Sequence, residues 1–143
     1  MSRATIAERT KRILPDTDRA LATLNAKPIT PSGHAMLDLF NAALLGIAPT
    51  AFELRGTTPQ LVRAYATIET VVNALSDTPL AAKRVIPFRT HRLIDKWAGL
   101  AFLAAALATD GLRNRRNLAF VAGQALLGFA VYNLTDWDAD SDS

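Results

Sequence analysis

Charged and apolar residues keep apart along this chain. Residues 117–135 run for nineteen positions without a charge and carry Leu118, Phe120, Val121, Leu126, Leu127, Phe129, Val131 and Tyr132. A helix needs about twenty such residues to cross the hydrocarbon core of a bilayer. Residues 97–109 are also uncharged and rich in Ala and Leu, and extension back to His91 reaches spanning length while taking in Asp95 and Lys96. Residues 34–52 contain Asp38 as their only full charge; residues 60–75, the weakest span, contain Arg63 and Glu69. A soluble amphipathic helix would mix charge and apolarity within each turn, so this segregation predicts four membrane-crossing helices.

The breaks agree with four helices. They fall at residues 56–59, 77–87 and 110–116. Thr30, Pro31 and Ser32 precede the first span and Thr90 precedes the third, supplying hydroxyl caps and a proline where an early helical turn tolerates it. Short first and third connections imply two antiparallel hairpins.

The hairpins read as copies of each other. His34-Ala-Met-Leu-Asp38 and His91-Arg-Leu-Ile-Asp95 lie 57 residues apart, each at the start of an apolar span. The copies then leave through Leu75-Ser76-Asp77 and Leu134-Thr135-Asp136. Landmarks in the same order predict a tandem duplication. The expected fold is all-α, an integral membrane four-helix bundle of two tandem hairpins with pseudo-two-fold symmetry. Residues 1–29 form a basic N-terminal arm able to lie as an interfacial helix. Residues 30–137 form the membrane domain, with repeats at 30–79 and 88–137, and residues 138–143 form an acidic disordered tail.

The pattern His-x-x-x-Asp, then Ala42 or Gly99, then Leu45 or Phe102, then Pro49 in the first copy, resembles the duplicated hairpins of bacterial SPW-repeat membrane proteins. The resemblance covers about residues 34–137. The Ser-Pro-Trp that names the family reads Ala48-Pro49-Thr50 in the first copy and Ala105-Ala106-Leu107 in the second. It implies the membrane topology and carries no assigned biochemical activity.

Charge adds orientation. Of sixteen Lys and Arg residues against thirteen Asp and Glu, Arg3, Arg9, Lys11, Arg12, Arg19, Lys27, Lys83, Arg84 and Arg89 fall on the side shared by both termini. Arg55, Arg113, Arg115 and Arg116 fall on the other. The positive-inside rule then places both termini in the cytoplasm of a multi-pass protein of the inner (plasma) membrane. The same distribution accounts for the basic isoelectric point without nucleic acid as a partner. The expected partners are the lipid bilayer and a second copy of the chain, and no partner protein is identified. There is no cysteine, which removes thiol catalysis and thiolate metal sites. No phosphate-binding glycine loop, nucleophile elbow or HExxH motif occurs, so no enzyme and no cofactor are expected.

Candidate chemistry is confined to a few polar positions. His and Asp four apart share one helix face. With antiparallel hairpins, His34, Asp38, His91 and Asp95 gather at one end with Ser76, Asp77, Thr135 and Asp136. Four readings apply: a structural tie in which each Asp holds its own His, a divalent metal site, a proton or ion path that also uses Arg63 and Glu69, and axial haem ligation by the two histidines. Glu69 is expected to pair across helices with Asn41 or Gln124. Trp97, Trp137, Tyr65 and Tyr132 are expected in an interfacial belt. Gly99, Gly111, Gly123 and Gly128 are expected at close helix approaches. The leading expectation is a membrane protein of structural or interaction type, and the alternative is a proton or metal-ion handling protein.

Overall fold

Thr30 starts the first helix: its extended backbone lets the side-chain hydroxyl accept from Gly33 N at 3.2 Å, with Pro31 in the first turn. The computed structural model describes residues 26–143, where the chain forms α1 (Pro31–Ala51), α2 (Thr58–Leu75), α3 (Phe88–Leu107) and α4 (Arg115–Leu134), with a 3-10 turn at Asp110–Arg113. No strand occurs among these residues. Residues 1–25 of the basic arm lie outside the described residues.

Each connection has a local cause. After α1 the chain reverses through Glu53 at φ 49° and Gly56 at φ 66°, and only the second suits the left-handed region without strain. α2 begins with Thr58 and Pro59 in its first turn. α4 is capped by Asn114, whose side-chain oxygen accepts from Arg116 N at 2.9 Å. α3 departs from expectation. Its N-cap is Pro87 without a side-chain cap bond, because the helix starts at Phe88 and leaves Thr90 inside the first turn.

Spacings of three and four on α1 turn His34, Ala35, Ala42, Leu45 and Ala48 inward. Leu45 and Ala48 meet Val62 and Ala66 of α2, Phe102 and Ala106 of α3, and Phe120 and Val121 of α4 in one core. Below it, Asn117 ties the first hairpin's turn to α4: its Oδ1 accepts from Arg55 N at 3.1 Å, and its Nδ2 donates to Arg55 O and Thr58 Oγ1, each at 3.0 Å. Above it lies the His–Asp end.

The two hairpins interlock at that upper end. Ile29 forms an isolated parallel bridge with Thr135, and Ile86, 57 positions on, forms one with Ser76. In the first, Ile29 N donates to Leu134 O at 3.1 Å and Asp136 N to Ile29 O at 2.8 Å. In the second, Ile86 N donates to Leu75 O at 2.9 Å and Asp77 N to Ile86 O at 2.7 Å. Each hairpin's exit is thus hydrogen-bonded to the other hairpin's entry.

Several expectations give way to packing. Among the described residues only α4 is long and apolar enough to cross a membrane, and 17% of its apolar window is buried; by the same measure α1, α2 and α3 are not apolar enough. The acidic tail folds back instead of trailing free: Ser32 N and Oγ donate to Ser143 O at 3.1 and 2.6 Å, and Arg84 pairs with Asp142 at 2.6 Å. A Cβ at Gly123 or Gly128 would meet nothing within 4 Å. These two glycines therefore serve no close approach among the described residues. Gly99 does face a neighbour, the Tyr65 hydroxyl, at 3.8 Å from its Cβ position.

Candidate functional site: paired histidines and aspartates

His34 sits one turn into α1 and Asp38 one turn further; His91 and Asp95 repeat this on α3. The helical period puts each pair on one face, and the antiparallel hairpins bring the faces together. Both histidines are buried, at 1% exposure. The carboxylates are the accessible part, with side chains 17% and 26% exposed.

The four side chains do not form two separate pairs. His34 Nε2 lies 3.0 Å from Asp95 Oδ2 and 3.3 Å from Asp38 Oδ2. His91 Nε2 lies 3.1 Å from Asp38 Oδ2 and 3.2 Å from Asp95 Oδ1. The two Nε2 atoms are 3.2 Å apart. A simple tie, with each Asp holding its own His, is therefore replaced by a shared cluster in which the nearer carboxylate comes from the other hairpin. One ligand-type atom from each residue falls within 4.8 Å of all the others.

The outward ring nitrogens are fixed by hydroxyls, again from one hairpin to the other. His34 Nδ1 is 2.9 Å from Thr135 Oγ1, and His91 Nδ1 is 2.5 Å from Ser76 Oγ. Both hydroxyls donate to the carbonyl four residues back, Val131 O and Val72 O, each at 2.7 Å. This back-bonding is open to Ser and Thr at helix ends, so the last turns of α2 and α4 position the imidazoles.

Aromatic rings close the site. Trp137 packs edge-on to His34 at 4.6 Å between centroids and lies 5.0 Å from Phe88, which stacks on His91 at 5.9 Å. The Trp137 indole donates to Tyr132 O at 2.9 Å. Trp137 is thus a buried cover, not the interfacial residue expected, whereas Trp97 is exposed. Tyr65 stacks on Phe102 at 4.7 Å inside the bundle, also away from a belt, and Tyr132 lies beside Arg92, with its hydroxyl 3.2 Å from Nε.

Asp77 and Asp136 stay outside the cluster. Their backbone N–H groups close the interlocking bridges, and the Asp77 carboxylate faces Arg84 at 3.5 Å. Glu69 faces inward one layer below the site: Asn41 Nδ2 donates to its Oε2 at 2.7 Å, and Gln124 Nε2 donates to Asn41 Oδ1 at 2.9 Å. Both expected partners therefore join one chain of hydrogen bonds. Arg63 is exposed and does not meet Glu69.

Sequence reading missed three contributors. Trp137 read as an interfacial residue, with its place two residues after Thr135 as its only signal, and nothing in the sequence singled out Phe88. Asn73, which donates to Ala35 O at 3.0 Å, carried no signal beyond being a polar residue inside a span.

Chemically, the site offers two imidazole nitrogens and two carboxylates around one point, suited to a proton shared among them or to a cation. Haem ligation does not fit, because two Nε2 atoms 3.2 Å apart leave no room for an iron with axial ligands on opposite faces. Comparison with protein families, with characterised proteins and with solved structures gives no match.

Proposed function

We propose that this protein is a membrane-embedded four-helix unit, built by duplication of one hairpin and akin to SPW-repeat proteins, that holds a cation between its paired His-x-x-x-Asp sites. The observation that carries the cation reading is the shared cluster: each imidazole Nε2 has two carboxylates and the other Nε2 within 3.0–3.3 Å. Two carboxylates this close repel each other unless positive charge lies between them. A structural tie needs one acceptor per imidazole and gives no reason for both carboxylates to converge on both rings.

The membrane reading rests on what the outer surface carries. Large apolar side chains face outward on every helix, including Phe40, Ile68 and Leu100, with Leu126 and Phe129 at 70% and 71% exposure. The interior meanwhile buries His34, Asn73, His91, Asn117 and Gln124. Contiguous exposed apolar surface on this scale marks a lipid or protein contact. Because it surrounds the helices, a bilayer covers it better than one partner would. Basic residues at the end shared by both termini favour a cytoplasmic placement of that end in the plasma membrane.

Two measurements test this reading. The chain should stay with membranes through an alkaline wash and leave them in detergent; recovery as a water-soluble monomer would refute membrane insertion. In detergent, unfolding of the wild type should depend on cation supply, as pH or metal, and the Asp38→Asn/Asp95→Asn variant should lose that dependence. Identical pH and metal profiles for the two proteins would end the cation reading.

A further inference from the structure

The hydroxyl relays decide which kind of cation suits the cluster. A hydroxyl has one proton to donate and lone pairs to accept with. Thr135 Oγ1 and Ser76 Oγ each lie 2.7 Å from a carbonyl oxygen, which can only accept, and 2.9 and 2.5 Å from an imidazole Nδ1. Both contacts are satisfied together when the hydroxyl gives its proton to the carbonyl and accepts one from Nδ1–H. That keeps a proton on Nδ1 of both rings and turns each Nε2 into the cluster, where it offers a lone pair to a metal ion whenever the ring is neutral.

A proton on Nε2 meets only part of such a cluster at a time. One Nε2–H bond points at one acceptor, yet each Nε2 has three neighbours at nearly equal range. A single central ion serves all of them. A tetrahedral ion with bonds of about 2.0 Å sets its donor atoms about 3.3 Å apart. Among His34 Nε2, His91 Nε2 and Asp38 Oδ2 the three separations run from 3.1 to 3.3 Å, and Asp95 approaches His34 through Oδ2 at 3.0 Å and His91 through Oδ1 at 3.2 Å.

On this geometry, and resting on the cation reading above, we infer that His34, Asp38, His91 and Asp95 bind one zinc ion as a closed, structural site. Two imidazole nitrogens disfavour Mg²⁺ and Ca²⁺, which take oxygen ligands, and a site without sulfur disfavours Cu⁺. Four protein ligands, three of them at tetrahedral spacing and all within 4.8 Å of one another, suit zinc. Phe88 and Trp137 shield the imidazole side, so the ion enters past the part-exposed carboxylates. Thr135 and Ser76 are positioning residues: each accepts from the Nδ1–H of a ligand histidine and so orients it, the usual task of groups behind a metal ligand. Since α1 and α3 each supply one His and one Asp, the ion joins the two hairpins.

The test uses the full chain in detergent, stripped with a chelator and titrated with Zn²⁺ under metal analysis, and with Co²⁺ as a visible reporter. The wild type should take up one Zn²⁺ per chain and give the intense visible bands of tetrahedral Co²⁺. Thr135→Val, which preserves shape, should weaken Zn²⁺ binding about 10- to 100-fold, and Asp38→Asn/Asp95→Asn should abolish it. Weak octahedral Co²⁺ bands, or equal Zn²⁺ uptake by the double variant, would overturn the zinc site. If the wild type takes up no Zn²⁺ but the double variant still loses the pH dependence of unfolding, the cation is a proton: the zinc inference fails and the broader reading stands. Absence of both effects overturns the two together.

Discussion

Replacing Thr135 with Val removes one hydroxyl from a residue 1% exposed and changes little in shape. Val131 O also accepts from Thr135 N at 3.0 Å, so that carbonyl keeps a partner in the variant. His34 Nδ1 does not, because Thr135 Oγ1 is its hydrogen-bond partner. The loss is therefore one orphaned buried N–H, about 1–3 kcal/mol. Apportioning it requires a double-mutant cycle with His34→Ala, measured by reversible unfolding in detergent after metal removal. In the His34→Ala background the donor is gone, and Thr135→Val should cost close to nothing. The coupling energy should equal most of the single-variant loss, about 1–3 kcal/mol. Equal costs in the two backgrounds would refute the claim that Thr135 acts through the His34 ring.

Other perturbations separate the layers of the bundle. Leu45, fully buried in the core, should lose about 2–5 kcal/mol on truncation to Ala, seen in the same unfolding assay. Asn117→Ala should cost about 1–3 kcal/mol by orphaning the backbone of Arg55, and hydrogen exchange should rise first in the turn at residues 52–58. Leu126→Arg, placed on the outer face, should raise the cost of insertion by about 2.5–3.5 kcal/mol and lower the fraction that withstands an alkaline wash; an unchanged fraction would count against lipid contact there. Acidification should release bound metal, because protons compete for the Nε2 lone pairs; a metal affinity that does not fall with pH would exclude histidine ligation.

Much of the helical framework was legible because it depends on local signals. Uncharged runs, the Thr30 cap, the Gly56 turn and the proline before α3 place the four helices within a few residues. The His–Asp faces followed from the helical period, and the Asn41–Glu69 pair from the cost of leaving a carboxylate unpaired among apolar neighbours. The exchange between repeats was not legible. A four-residue spacing says that His34 can meet Asp38 and cannot say that His34 lies nearer Asp95, which depends on how close α1 and α3 approach. Asp77 and Asp136 misled for a related reason: the working side chains belong to the preceding residues, Ser76 and Thr135, because the chain turns at those positions and aims successive side chains in opposite directions. Trp137 looked interfacial since it lies at the end of an apolar span, but its ring reaches back over His34.

Charges within three of the helices stand against a simple membrane span, and their placement decides how serious the objection is. Glu69 and Asp95 face other polar side chains inside the bundle, where ionisable groups at membrane depth belong. Arg63 is exposed, but it lies five residues into α2, about 8 Å from the helix start at 1.5 Å per residue. A long side chain at that depth reaches the headgroup layer by snorkelling. Arg92 lies four residues into α3, at the opposite end of the bundle and on the same terms, whereas exposed Lys96 lies eight residues in, about 12 Å from the helix start. What remains toward the middle of the outer surface is apolar, as at Leu100, Ile68 and Leu126. Mean hydropathy counts Glu69 and Asp95 against their helices regardless of the direction they face. Two hairpins that bury each other's polar residues can therefore present an apolar exterior that neither α2 nor α3 advertises alone, and the mutual capture of histidine by hydroxyl and carboxylate across the repeats is what would keep that polar interior together.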